Sequence, residues 1–355
     1  MYVVHRQELE AREHEALSPD ASFSEDTEGR MHSCDPDDLR TEYQRDRDKI
    51  IHCKAFRRLS HKTQVFLAPM GDHYRTRLTH TLEVAQISRT IARALALNED
   101  LTEAIALGHD LGHTPFGHAG EDALCECLAR VTGWDGTGEA PRLFHHNLQS
   151  LRVVERIENE GRGLNLTAEV RDGIACHTGD QRAETLEGRV VALSDRIAYV
   201  NHDVDDAMRA GMLLSGDLPA GPVAVLGPTH STRIQTMVED CVAASAQVGD
   251  IVMSPSVWDA MMELRAFLFD EVYHSPSVAG EVRKAHHVVS ALFGYYLDHV
   301  DSVPAEYRDL SEEYDVRAVT DFIAGMTDRY AIHLYESLFV PRSFVGDESL
   351  EISGN

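Results

Sequence analysis

The segment GHDLGHTPFGH, residues 108–118, places three histidines and one aspartate within eleven residues, in a chain that has 20 histidines in 355. On a helix, His109 and His113 would share one face, because residues four apart lie one above the other. Asp110 follows His109 directly, and His118 comes just after a proline that is expected to end the helix. Imidazole nitrogen and carboxylate oxygen are ligands of borderline divalent metals. The segment is therefore predicted to be catalytic or metal-binding.

Two residues elsewhere have the chemistry to complete such a site. His80 lies on the inward stripe of the apolar run RLTHTLEV, where it needs a partner, either a metal or a backbone carbonyl. Asp195 lies between VVAL and IAYV, and a carboxylate buried in such a run is costly unless it is paired. Tyr199 and Asp203, four and eight residues further on, would share its face. The candidate metal ligands, from three helices, are His80, His109, Asp110 and Asp195.

The elements that must position these side chains are predicted to be helices. Apolar residues recur at three- and four-residue intervals, and strand-like alternation does not persist, so the predicted fold class is all-α. A helix is expected to start at Asp35, because Asp-Pro-Asp-Asp combines a cap, a first-turn proline and acids. Another is expected to be capped by Asp100 and Glu103 and to run through LTEAIALGHDLGH. A third long helix would end at Gly211.

Composition divides the chain into three parts. Residues 1–34 are poor in core-forming side chains and are expected to be extended or partly disordered. Residues 35–214 contain the motifs and are expected to form the catalytic core. Residues 215–355 begin with a Gly- and Pro-rich stretch and continue as a helical region, expected to pack on the core and to contribute to oligomerisation.

Charge and cysteine usage exclude several classes of protein. The formal net charge of −26 disfavours general binding to nucleic acid or anionic membranes. No run of 18 apolar residues is present, so a membrane span is not expected. The six cysteines are scattered without a Cys-x-x-Cys pair, and the N-terminus is not a secretory signal. A cytoplasmic protein with free thiols is therefore expected.

Several longer blocks identify a family. RDKIIHCKAFRRLSHKTQVF, RTRLTHTLEVAQISRTIAR, GHDLGHTPFGHAGEDAL, GLNLTAEVRDGIACHTG, LSDRIAYVNHDVDDA and VTDFIAGMTDRYAIHLYESLF resemble, in this order, the deoxynucleoside triphosphate triphosphohydrolases of the HD-domain superfamily. The resemblance covers most of residues 35–340. It implies a helical HD core with an added helical region, a homo-oligomer (tetramer or hexamer), and hydrolysis of dGTP or other dNTPs to deoxynucleoside and inorganic triphosphate, which would control dNTP pools.

The resemblance also implies roles for individual residues. It implies that the four candidate ligands named above bind the metal. It also implies that His118 is the acid that protonates the leaving 5′-oxygen. The adjacent His145 is an alternative to His146. The implied catalytic residues are His113, His118, His146 and Asp110. The implied substrate contacts are Arg77, Arg196 and Tyr199 to phosphate oxygens, and Gln64 and Asp203 to the deoxyribose 3′-hydroxyl. The basic residues expected around the phosphates are Lys54, Arg57, Arg58, Lys62, Arg75, Arg77 and Arg196.

The sequence leaves the metal, the preferred base and an activating second nucleotide open. Histidine and carboxylate ligands suit Mn, Fe, Co, Ni or Zn, and Mg is more natural on the substrate phosphates. One alternative function is another HD phosphohydrolase, acting on nucleoside monophosphates, cyclic nucleotides or guanosine polyphosphates. A second is a regulator that binds nucleotides or single-stranded nucleic acid without catalysis, which the acidic balance argues against.

Overall fold

The computed structural model describes residues 1–64, 75–310 and 315–341, apart from the side chain at position 277. Within these ranges the regular structure is helical and contains no β-strand, only two isolated bridges. This confirms the all-α prediction. None of the helices in the described ranges combines the length and the hydropathy that crossing a bilayer requires.

The helices of the first half surround the motifs found in the sequence. They are α1 (Arg6–Ala16), α2 (Glu42–His52), α3 (Lys54–Arg58), α4 (Arg77–Ala94), α5 (Glu99–Gly108), α6 (His118–Val131), α7 (His146–Arg152), α8 (Ala168–Ala175) and α9 (Leu186–Arg209). A 3₁₀ turn follows α3 (Leu59–His61), and a π-helical turn follows α7 (Val153–Ile157).

The second half is also built from helices. They are α10 (Ala220–Leu226), α11 (His230–Val248), α12 (Pro255–Leu268), α13 (Pro276–Asp298), α14 (Ala305–Arg308), α15 (Asp315–Ala324) and α16 (Asp328–Phe339). A π-helical turn (Phe269–Tyr273) continues α12, and a 3₁₀ turn (Val300–Ser302) follows α13.

Two apolar cores hold the helices together. In the first, α4 packs on α5 and α9, and Ile87, Ile105 and Ile197 are fully buried. Full burial of one such side chain contributes about 1.5–3 kcal/mol. The second core joins α6 to α13, α15 and α16. Residues beyond 215 contribute to both cores, and Met237 and Met261 lie in the first. The division of the chain at 214 stays a prediction.

The N-terminal segment differs from the expected extended chain. Residues 6–16 form α1, and Glu13 accepts hydrogen bonds from the backbone and hydroxyl of Ser24 at 2.7 Å. Further along, the Arg30 guanidinium is buried against the Asp46 carboxylate. These contacts order a stretch whose composition is poor in core-forming residues, because ion pairs and hydrogen bonds with α1 and α2 replace apolar packing.

The predicted helix start at Asp35 is wrong. The helix α2 begins seven residues later, with Thr41 as its cap. Asp37 instead accepts hydrogen bonds from the N–H groups of Leu39 and Arg40, at 2.8 and 2.9 Å. Aspartate favours such local turns as well as helix caps, so the same residues fit both structures.

The helix α5 also begins and ends earlier than predicted. Asn98, not Asp100, is its cap, and accepts from the N–H groups two and three residues on. The helix ends at Gly108, and turns follow as far as His113. The reason for this end lies at Gly112, whose N–H donates to the Ser150 hydroxyl of α7 at 2.8 Å. Close packing against α7 therefore replaces the next helical turn.

Gly112 supplies a test of this packing. An added Cβ would lie 2.1 Å from the Ser150 backbone nitrogen, so Gly112→Ala must displace backbone. We expect the free energy of unfolding to fall by about 3 kcal/mol, the upper end of typical overpacking costs, because a clash with backbone cannot be relieved by a side-chain rotation. The control is Gly294→Ala in α13, where a Cβ meets no described atom within 4 Å and a gain of about 0.5–1 kcal/mol is expected. Urea unfolding followed by circular dichroism measures both, and equal stabilities would contradict the packing argument.

Candidate metal centre

The four predicted metal ligands come together. His80 lies on α4, His109 and Asp110 lie in the turn after α5, and Asp195 lies on α9. His80, His109 and Asp110 offer ligand atoms that all lie within 4.8 Å of one another. Asp195 Oδ1 is 3.0 Å from His80 Nε2 and 3.8 Å from His109 Nε2. The arrangement can hold one divalent cation.

His109 carries the clearest sign that a cation fits. Its Nδ1 donates to the Ala106 carbonyl at 2.6 Å, so the lone pair of the neutral ring is on Nε2. This Nε2 is buried and has no hydrogen-bond partner in the described part of the chain. A buried polar atom without a partner costs about 1–3 kcal/mol, and a metal ion would remove that cost.

The two carboxylates are held in the ionised form that binds metal. Burial favours the neutral acid of Asp110, but its electrostatic interactions with His109 and Arg77 outweigh burial and hold its pKa well below the usual value. Burial likewise opposes the ionisation of Asp195, and the hydrogen bond from His80 outweighs it, so the pKa of Asp195 is also lowered. Both ligands are therefore charged at neutral pH.

A relay behind His80 orients its ring. His80 Nδ1 lies 3.3 Å from His202 Nδ1, and the other nitrogen of His202 contacts the Glu83 carboxylate. Arg75 pairs with Glu83 at 3.3 Å. Such contacts fix the tautomer of a metal-binding histidine. The sequence reasoning missed His202, although it lies seven residues after Asp195, on the same face of α9.

Beside the candidate metal ligands lies a second layer of histidines, formed by the predicted residues His113, His118 and His146. The rings of His113 and His146 stack with centroids 4.5 Å apart. His118, at the start of α6, has its ring centroid 5.4 Å from that of His113 and 6.2 Å from that of His146. His145 is exposed, whereas His146 points into the cluster. Of the two adjacent histidines, His146 is therefore the one that lies in this cluster.

Two members of this layer were missed. Glu121 is buried, and its Oε2 lies 3.0 Å from His146 Nδ1 and 3.6 Å from His118 Nδ1. It lies three residues after His118, and this spacing could have revealed it. His177 donates from Nδ1 to the Ile174 carbonyl at 2.7 Å, and its Nε2 lies 3.3 Å from His146 Nε2.

The position of His146 between these partners decides its protonation. Because His177 donates from Nδ1, the Nε2 of its neutral ring accepts, so His146 donates from one nitrogen to His177 and from the other to Glu121. Burial lowers the pKa of His146, but the Glu121 hydrogen bond and charge outweigh burial, and the net pKa is raised. A cationic His146 beside the metal centre suits an anionic ligand.

The predicted substrate contacts lie around these layers. Arg77 is buried, and its Nη1 donates to Asp110 Oδ2 at 2.6 Å. Gln64 Oε1 is buried and has no hydrogen-bond partner among the described residues. Asp203 is buried and accepts from the Tyr273 hydroxyl, and burial raises the pKa of Asp203 to about 7 against the opposing effect of that hydrogen bond. Arg196 and Tyr199 lie on α9 beside Asp195, partly exposed.

The expected basic cluster is smaller than the sequence suggested. Lys54 pairs with Glu306 at the surface, and Arg75 pairs with acids of α9 at 2.9 Å. Arg58 donates to the Tyr307 hydroxyl. Lys54 and Arg58 therefore serve an ion pair and packing away from the metal centre, whereas Arg75 also pairs with Glu83 in the contacts behind His80. Arg77 is the predicted cation that contacts a ligand of the metal centre.

Lys62 is buried inside the protein, away from any surface cluster. Its Nζ donates to the His113 carbonyl and, at 2.8 Å, to the Ala324 carbonyl. Burial lowers the pKa of Lys62 to about 7, and nearby charges modify the effect. The charges of Arg58 and Arg77 lower the pKa of Lys62 further, and those of Asp328 and Asp110 raise it.

Comparison with known proteins finds two domain matches in this chain. Residues 77–200 match the HD domain, and residues 251–337 match the phosphohydrolase-associated domain. The chain is 54% identical to a deoxyguanosinetriphosphate triphosphohydrolase-like protein of Caldanaerobacter subterraneus, with 95% of this chain and 96% of that protein covered. Proteins of the same name in Desulfatibacillum aliphaticivorans and Bordetella pertussis are 48% and 42% identical, covering 96% and 90% of this chain and 99% and 96% of theirs.

The metal centre predicts a selective loss of binding. His109→Ala removes the ligand atom without a partner, so we expect the affinity for Mn²⁺ to fall by at least about tenfold, since even changes beyond the ligands cost 10–100-fold. His145→Ala, which removes an exposed histidine nearby, is the control and should bind like the wild type. Equilibrium dialysis followed by elemental mass spectrometry measures both. Equal Mn²⁺ content in the two variants would argue against this site.

Lys62 predicts a particular pH dependence of stability. Between pH 7 and the ordinary lysine value, the unfolded chain binds a proton that the folded protein has released, so stability rises with pH. The unfolding free energy of the wild type minus that of Lys62→Met should therefore increase from pH 7 to about pH 9.5. Urea unfolding at three pH values measures it, with Lys54→Met as the exposed control. A constant difference would contradict the expected release of the proton.

Proposed function

This chain belongs to the deoxyguanosinetriphosphate triphosphohydrolase-like family of HD-domain phosphohydrolases, and we propose that it hydrolyses deoxynucleoside triphosphates to deoxynucleoside and inorganic triphosphate. One observation carries the proposal: a cluster of four metal ligands adjoins a second cluster of histidines around Glu121. Cleavage between the α-phosphorus and the 5′-oxygen would use both clusters, because the attacking water needs activation and the departing 5′-oxygen must receive a proton.

The residues that would hold the cation are His80, His109, Asp110 and Asp195. A divalent ion bound there supplies charge neutralisation and lowers the pKa of a coordinated water from ~15.7 towards ~7. We propose Mn, Fe, Co, Ni or Zn for this place, with Mg on the substrate phosphates.

The second layer would handle the proton of the leaving group. Water attacks the α-phosphorus, the bond from phosphorus to the 5′-oxygen breaks, and His118 gives its proton to that oxygen. His118 is exposed, and its Nδ1 lies 3.6 Å from the Glu121 carboxylate. His113 and the cationic His146 would face the phosphate chain.

Arg77 would neutralise charge on the substrate without leaving Asp110. Its Nη1 is used by the Asp110 carboxylate, whereas its Nε, buried, has no hydrogen-bond partner within the described ranges. Guanidinium offers five donors in a fixed plane, so one arginine can contact a carboxylate and a phosphate oxygen together. Arg196 and Tyr199 are the further phosphate contacts we propose.

The sugar would be recognised beside the metal centre. Asp203 and Gln64 each have a buried oxygen without a partner among the described residues, Oδ1 and Oε1 respectively. Either atom can accept a hydrogen bond from the 3′-hydroxyl of a deoxyribose.

We also propose that the protein forms a homo-oligomer, a tetramer or hexamer, and that it is cytoplasmic. The reaction would control dNTP pools, and a second nucleotide would act as an activator.

Product analysis tests the function. The protein is incubated with each dNTP, singly and mixed, with Mn²⁺ or Mg²⁺, and the products are separated by anion-exchange chromatography. Deoxynucleoside and triphosphate in equal amounts are expected, and activity only in mixtures would reveal an activator. Orthophosphate, pyrophosphate or a nucleoside monophosphate as first product would contradict the proposal and favour another HD phosphohydrolase reaction.

His118 provides the matching variant. Loss of a general acid typically costs 10²–10⁴-fold, so His118→Ala should lower kcat by about that factor with normal metal content. His145→Ala should retain activity within about twofold. If His118→Ala and His145→Ala have equal kcat, His118 is not the acid.

A further inference from the structure

A buried carboxylate of the C-terminal region contacts two segments that carry predicted site residues. Asp328, the first residue of α16, is 4% exposed. Its Oδ2 accepts hydrogen bonds from the backbone N–H of Thr63, at 2.9 Å, and from the Thr63 hydroxyl. Its Oδ1 accepts from the backbone N–H of Phe116 at 2.9 Å. Three donors from two distant segments therefore meet on one side chain.

The segment that contains Phe116 precedes His118 and has an unfavourable backbone conformation. Phe116 has φ +63°, and Gly117 has φ +60°. A left-handed conformation costs a non-glycine residue about 1–2 kcal/mol and persists only when its surroundings hold it. The hydrogen bond from Phe116 to Asp328 supplies such a restraint. Because α6 begins at His118, this turn sets the direction in which the His118 side chain leaves the backbone.

The segment that contains Thr63 contacts the start of α4. Thr63 forms an isolated antiparallel bridge with Thr76, and the Arg77 N–H donates to the Lys62 carbonyl at 3.1 Å. Gln64 follows directly. A shift of this segment would therefore move Gln64 and the beginning of the helix that carries Arg77 together.

Lys62 makes a second link in the same place. Its Nζ connects the carbonyl of His113 to the carbonyl of Ala324, the last residue of α15. The segment 113–118 is thus connected to the C-terminal helices at two points. Lys62 makes the connection at His113, and Asp328 makes it at Phe116. Both links are buried, where hydrogen bonds do not compete with water.

We propose that Asp328 is a positioning residue for the hydrolysis, holding the turn before His118 and the segment before Gln64 at a fixed separation. The C-terminal region is then part of the catalytic apparatus. Asp328 acts through Phe116 and Thr63, and a misplacement of about 1 Å in such a site costs on the order of 100-fold in rate. This inference rests on the proposed function for its kinetic consequence, but its structural part can be measured without it.

The first test compares Asp328→Asn with Asp240→Asn. Asparagine has one acceptor oxygen, so either the Thr63 or the Phe116 donor loses its partner. Asp240 of α11 is the control, because it also accepts from the N–H and hydroxyl of one residue, Ser254 at the start of α12, at 2.8 and 2.6 Å through its two oxygens, but contacts neither site segment. Per bound Mn²⁺, kcat for triphosphate release should fall at least tenfold in Asp328→Asn and stay within twofold in Asp240→Asn. Equal kcat values would overturn the proposal.

A pair of Thr63 variants decides the question if Asp328→Asn does not fold. Thr63→Val loses the hydroxyl donor with little change in shape, and Thr63→Ser keeps that donor. We expect kcat per bound Mn²⁺ to fall several-fold in Thr63→Val and to be restored by Thr63→Ser. A general loss of stability would lower the folded, metal-loaded fraction instead, and equal rates in the pair would overturn the proposal.

Hydrogen exchange separates this proposal from the function it rests on. If the wild type releases triphosphate from no dNTP, the proposed function fails. Faster amide exchange at residues 113–118 in Asp328→Asn than in Asp240→Asn would then still support the positioning of the turn. Unchanged exchange there would overturn it.

Discussion

The structure depends on keeping two carboxylates ionised where water is largely excluded. Burial alone would protonate Asp110, and an isolated buried charge costs several kcal/mol even after the protein relaxes. His109, Arg77 and His80 reverse that preference. Such a balance requires α4, α9 and the turn after α5 to meet at one point, and the first apolar core, in which α4 packs on both α5 and α9, brings about that meeting.

The division of labour between the two layers follows from one short turn. His109 and Asp110 face the metal ligands of α4 and α9, whereas His113 and His118 face Glu121 and the histidines of α7 and the α8 end. A continued helix would have placed His109 and His113 on one face. The early end of α5, with the glycine contact on α7, directs them to adjacent clusters instead. The two clusters therefore lie side by side, and Asp110 is close to members of both, His80 and His109 in one and His146 and His177 in the other.

The sequence carries a signal for polar side chains that are costly to bury. His80 and Asp195 stood in apolar helices and needed partners, and the structure brings both to the site. Local signals were less reliable. Asp35 and Asp100 were predicted to cap helices, but the caps are Thr41 and Asn98. The prediction failed because the same side chains stabilise both turns and helix caps. Glu121 was missed since its importance comes from His146, which is distant in sequence. The long-range contacts of α1 had no local signature either.

The contacts of Asp328 have a consequence for how the molecule comes to its final form. They join residues 265 and 212 positions apart in the chain, and closing such long loops slows folding relative to local helix formation. During synthesis, all the metal ligands emerge long before α16 does. A nascent chain can therefore gather its cation-binding residues while the turn before His118 still lacks its C-terminal support. Completion of the site is in this way coupled to completion of the chain.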